Sequence, residues 1–107
     1  MANIHNVQLA STGTTITTGG TTHRNVVGMR IVNTSTTTIH TYSLYLYPSG
    51  SSADATTIIK YDKALAPKED HWFTKDELFR LGNGDVLYGS ADTSSVITVT
   101  INYEDRA

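Results

Sequence analysis

The sequence predicts an all-β fold: an antiparallel two-sheet β-sandwich of jelly-roll type, with seven or eight strands and one short helical turn near residues 75–79. Three observations predict it. Eighteen Thr and nine Ser make up 27 of the 107 residues, and Thr favours pleated, half-buried surface over helix interiors. Apolar and polar residues alternate with a period of two in short runs, broken by clusters of Gly, Ser, Asn and Pro. No segment carries the long helical period that a parallel crossover connection requires, so the strands must pair antiparallel.

The elements follow in order. Ile4, Val7 and Leu9 give a weak first strand ending at Ser11-Thr12-Gly13, and Thr14 to Thr18 a short second one closed by Gly19-Gly20. In Val26 to Asn33, alternation places Val27, Met29 and Ile31 on one face and Val26, Gly28, Arg30 and Val32 on the other. Thr38 to Tyr47 is the longest run; His40, Tyr42, Leu44 and Leu46 share the core side, which turns Tyr45 and Tyr47 outward. The loop Pro48 to Ser52 leads to a strand over Thr56 to Tyr61. Thr74 and Glu77 fit a capping box, which predicts the helical turn. After the turn Asn83-Gly84, strands run over Val86 to Ala91 and over Val96 to Tyr103, the latter with Ile97, Val99, Ile101 and Tyr103 inward. No composition break or repeat divides the chain, so residues 1–107 read as one domain, with 1–12 an edge strand or an extended arm.

Eight Lys and Arg against ten Asp and Glu leave a net charge of −2. That balance carries no basic phosphate-binding footprint, and the cations are dispersed among acids, so no nucleic-acid partner is expected. There is no cysteine, which excludes disulfides, thiolate metal sites and Cys nucleophiles. No apolar stretch is long enough to span a membrane, and the polar start has no signal-peptide core, so neither a membrane nor a secretory role is expected. Six Tyr, two Phe, one Trp and regularly placed aliphatic residues argue against disorder.

Little in the sequence points to chemistry. His5, His23, His40 and His71 stand singly, outside any ligand spacing. Glu69-Asp70 and Asp76-Glu77 read as a solvated rim and first-turn dipole partners rather than as a catalytic pair. No nucleophile elbow or phosphate-cradling loop is present. Asn33-Thr34-Ser35 matches a glycosylation sequon, a match that arises by chance in a Thr-rich chain. The expectation is no catalytic residue, no metal and no cofactor. Binding is better supported. Tyr45 and Tyr47 are interface candidates because Tyr offers large contact area at low entropic cost. Trp72 and Phe79 are candidates too; they either anchor a neighbouring subunit or plug the open end of the sandwich. Plugging fits better, because an exposed Trp is a liability.

The order of segments resembles a known group. An apolar strand ends in Asn33-Thr34-Ser35, and Tyr42-Ser43-Leu44-Tyr45-Leu46-Tyr47 runs into Pro48-Ser49-Gly50. Leu65-Ala66-Pro67-Lys68-Glu69 follows, then Leu81, Gly84-Asp85 and Val86-Leu87-Tyr88-Gly89-Ser90-Ala91, closing on Val96, Val99 and Ile101. From Val26 to Tyr103 this resembles the small β-sandwich virion proteins of tailed bacteriophages. It departs from them over His71 to Arg80, where a plain short strand would be expected. The resemblance implies a structural protein without catalysis or cofactor, made in the host cytoplasm and located in the virion. Its partners would be the major capsid protein or other virion proteins and further copies of itself, with a trimer expected. A capsid decoration or cement protein is the first reading, and a neck, tail or fibre-attachment component the second. A carbohydrate- or host-surface-binding module that uses exposed Tyr as stacking platforms is a different class of reading. If residues 1–12 tie subunits together, deleting them weakens assembly more than it lowers the melting temperature.

Overall fold

A computed structural model describes residues 3–21, 23–73 and 80–106. Among them are nine strands and no helix: β1 (Asn3–Gln8), β2 (Thr14–Thr18), β3 (His23–Asn33), β4 (His40–Tyr47), β5 (Ile58–Leu65), β6 (Asp70–Phe73), β7 (Arg80–Leu81), β8 (Val86–Ala91) and β9 (Ile97–Arg106). The helical turn expected near residues 75–79, with its cap at Thr74 and Glu77, lies outside the described residues. The short strands β6 and β7 on either side of it are additional to those read from the sequence.

Two antiparallel sheets form the fold. One has the order β1-β9-β3-β6, with β7 also paired to β3; the other has the order β2-β8-β4-β5. Successive strands from β1 to β4 therefore alternate between sheets. Each of the pairs β4/β5, β3/β6, β2/β8 and β1/β9 encloses the one before it along the chain.

The core is the filling between the sheets. Leu9, Ile16, Met29, Ile31, Tyr42, Leu44, Leu65, Leu81, Leu87, Ile97, Val99 and Ile101 are almost completely buried. Burying each such side chain is worth roughly 1.5–3 kcal/mol, so this layer is the main stabilising term. Leu9 matters for the first segment: β1 is an edge strand in register with β9, and Leu9 immediately after it is a core residue. Removing residues 1–12 would therefore excavate the core as well as an edge.

One phase expectation is corrected. Val26 is buried and Val27 exposed, the reverse of the alternation read from the sequence, while Met29 and Ile31 do face inward. The cause is a bulge: the register with β9 shifts between Val26 and Gly28, so the extra residue reverses the facing of everything before it. A second bulge in β2, between Thr15 and Thr17, leaves Ile16 and Thr17 both buried. The fifth strand also runs further than expected, to Leu65, through the left-handed residue Asp62 (φ 45°).

Asn33 ties one end of the sandwich together. Its side chain is wholly buried; the amide donates to the carbonyls of Thr38 (2.9 Å) and Leu65 (3.0 Å), and its oxygen accepts from the Ser35 N–H (2.9 Å). Both amide hydrogens are used, so a glycan on this sequon is incompatible with the fold.

Candidate interaction surfaces

Of the four sequence-derived candidates, Tyr45, Tyr47 and Trp72 lie among the described residues, the two tyrosines on one sheet and Trp72 on the other. Tyr45 and Tyr47 lie on the outer face of the β2-β8-β4-β5 sheet, where β4 pairs with β8. Tyr88 stands directly opposite Tyr45, its ring edge-on to Tyr45 at 6.1 Å and tilted to Tyr47 at 6.2 Å. Such offset and edge-to-face pairs stabilise beyond the area they bury. The Tyr88 hydroxyl donates to the Thr12 carbonyl at 3.2 Å. The ring reaches it across Gly13, where a Cβ would lie 1.8 Å from the hydroxyl oxygen. All three tyrosines are half-buried, which makes the patch a rigid, amphipathic surface. Tyr88 was missed from sequence because cross-strand register decides it.

Trp72 corrects the plugging expectation. It lies on edge strand β6 opposite Arg30 and points away from the core, leaving it 67% exposed. The next residue, Phe73, pairs with Met29 on the inner side and is buried. Alternation thus gives the covering role to Phe73 and the exposed role to Trp72. The Arg30 guanidinium lies 5.4 Å from the Trp72 ring centre and donates to Asp70 at 2.8 Å. That charged hydrogen bond holds the Asp70 carboxyl below its usual range. Trp72 and the three tyrosines lie on opposite sheets, so the candidates do not form one surface. Phe79 lies outside the described residues.

Between edge strands β5 and β6 the two sheets part to leave a groove of about 290 Å³, lined by Tyr42, Lys60, Lys63, Asp70, His71, Trp72 and Phe73. Lys60 and Lys63 pair with the inward residues Leu44 and Tyr42, so both leave β5 on its core side. The Lys60 ammonium sits 5.6 Å from the Phe73 ring centre. On the floor, the Tyr42 hydroxyl and His71 Nδ1 are hydrogen-bonded at 2.8 Å, and burial pushes the Tyr42 hydroxyl up to about 12. Elsewhere His40 Nδ1 is hydrogen-bonded to Asp92 at 2.9 Å. Among the described residues no three His, Asp or Glu side chains gather as a metal site.

No protein-family model matches the chain, and no curated protein matches it.

Proposed function

We propose that this chain is a non-enzymatic structural protein of a tailed-bacteriophage particle, a capsid decoration or cement protein that stabilises the shell by multivalent protein–protein contacts. The observation that carries the proposal is the pair of aromatic surfaces on opposite sheets, Trp72 on one and Tyr45, Tyr47 and Tyr88 on the other. A rigid brick with contact surfaces on two sides can link neighbours rather than only decorate one. The order of sequence segments from Val26 to Tyr103 supports a virion protein. The enclosed strand pairs support a jelly-roll reading of the sandwich, an architecture that includes viral capsid domains. Its partners are the major capsid protein or other virion proteins and further copies of the chain, with a trimer as the unit. The same reading covers a neck or tail position. Many modest contacts repeated by symmetry suffice, without one strong site.

The test is addition of purified protein to particles lacking it. The wild type is expected to bind and restore resistance to heat and osmotic shock. Trp72→Ala removes a side chain that contributes little to the fold, so its melting temperature should stay close to wild type. An aromatic anchor at an interface centre is worth about 2 kcal/mol, roughly thirtyfold in each contact. Particles that are equally robust with and without the protein would refute the cement role.

A further inference from the structure

We propose that the groove between β5 and β6 binds an acidic sugar, with its ring against Trp72 and its carboxylate between Lys60 and Lys63. The site shares Trp72 with the assembly surface argued above, but its test, ligand binding by the isolated protein, does not depend on that role.

In a chain of net charge −2, the groove gathers two ammonium groups on the core side of one strand. Among the described residues neither has a carboxylate partner, and the one acid in the lining, Asp70, is engaged by Arg30. Lys60 and Lys63 oppose β4 residues two apart, Leu44 and Tyr42. That is close enough for one anion to relieve their mutual repulsion. Tyr42 and His71 add polar atoms at the floor, and Phe73 an apolar wall.

Size and shape select the ligand. At about 290 Å³ the groove lies at the lower end of the ~300–1,000 Å³ typical of small-molecule pockets, room for a ring-sized group. Trp72, exposed at the outer rim of the lining, has Arg30 over one side of its ring and offers the other to the C–H face of a pyranose ring. An acidic peptide fits less well, because peptides dock at such edges by adding a strand. Strand β5 is bulged twice along its pairing with β4 and carries a left-handed residue at Asp62, and β6 has only four residues. Neither edge can guide a peptide backbone in register.

Titration calorimetry with the intact protein tests this, using oligogalacturonate, sialyllactose and a glucuronate oligosaccharide as acidic probes. The uncharged counterparts of each and a poly-glutamate peptide serve as comparisons. At least one acidic sugar is expected to bind at least tenfold more tightly than its neutral counterpart, and more weakly as salt rises. Trp72→Ala and Lys60→Met should each lower that affinity at least tenfold, with far-UV circular dichroism unchanged; Lys63→Met should act in the same direction. Binding of no acidic sugar overturns the proposal, as does equal binding of the neutral sugars. Tighter binding of poly-glutamate that ignores Trp72→Ala overturns it in favour of a peptide site. Lysines that only shield the edge would leave every probe unbound.

Discussion

Asn33 is the position where one atom substituted for another should report most sharply on the fold. Its amide makes two donor bonds and one acceptor bond inside the sandwich, from a side chain with no exposed surface. Asn33→Ala loses all three. At about 1 kcal/mol each, with water able to satisfy part of the outer loop, the cost is about 2–3 kcal/mol. For a domain of this size that lowers the melting temperature by about 10–20 °C. Asn33→Asp should be worse at neutral pH, since a buried carboxylate would then face two carbonyl oxygens. The folded state resists that charge, so the folded carboxyl titrates above its unfolded value of about 3.9. Between those two values the native state holds the extra proton, and stability falls as pH rises through the window. The deficit of Asn33→Asp against wild type should therefore shrink as pH is lowered towards about 4, where a protonated carboxyl can donate to one carbonyl. Urea denaturation of wild type and both variants across that range measures it. If Asn33→Asp is no less stable than Asn33→Ala at pH 7, or its deficit does not vary with pH, the buried amide network is wrong.

Four further outcomes are expected. Gly19→Ala would place a Cβ 2.0 Å from the Gly82 carbonyl oxygen and should cost about 1–3 kcal/mol, whereas Gly20→Ala meets nothing within 4 Å and should be close to neutral; thermal melts compare them directly. The Arg24 guanidinium, bonded to Asp105 at 2.8 and 3.1 Å, holds that carboxyl below its usual range. This contribution is present above the unfolded carboxyl value and is lost as pH falls through the lower folded one, so Asp105→Asn should flatten the acid limb of a melting temperature–pH profile. Leu9→Ala should cost about 2–5 kcal/mol in urea denaturation because the side chain is fully buried. Ile4→Ala, on an edge strand with the side chain 70% exposed, should change stability by less than about 0.5 kcal/mol.

What the sequence revealed depended on how local the deciding interaction is. The alternation of Ile97, Val99 and Ile101 places all three in the core because nothing interrupts the register of that stretch. The same rule fails at Val26 and Val27, where a bulge inserts one residue, and no local signal but Gly28 marks the spot. Tyr45 was legible as outward-facing, yet its contact with Tyr88 was not, because two distant strands must first align. Trp72 was misplaced for a related reason. An aromatic pair has one inward and one outward member in any strand, and only pairing with β3 decides which is which. The groove was the least legible feature. It exists because edge strands of different sheets come to rest beside each other, a relation between segments that composition and spacing do not encode.

The four sheet edges are not equivalent, and the difference bears on how one molecule could serve both proposed roles. Strand β2 is interrupted by a bulge, β5 by two irregularities and inward lysines, and β6 is short; each device discourages a neighbouring strand. Strand β1 has none of them. It is uncharged, pairs with β9 without a register shift over six residues, and leaves Ile4 outside. It is therefore the edge best suited to continue into a neighbour. It lies on the same sheet as Trp72 but at the opposite margin, three strand spacings or about 14 Å away. A neighbour attached along β1 would leave the β5–β6 groove open. Contacts through β1 and ligand binding at the groove can then occur together, whereas a neighbour anchored on Trp72 itself would compete with the sugar. Particle binding that survives saturation of the groove would assign the assembly contact to β1 or to the tyrosine face, and competition between the two would assign it to Trp72.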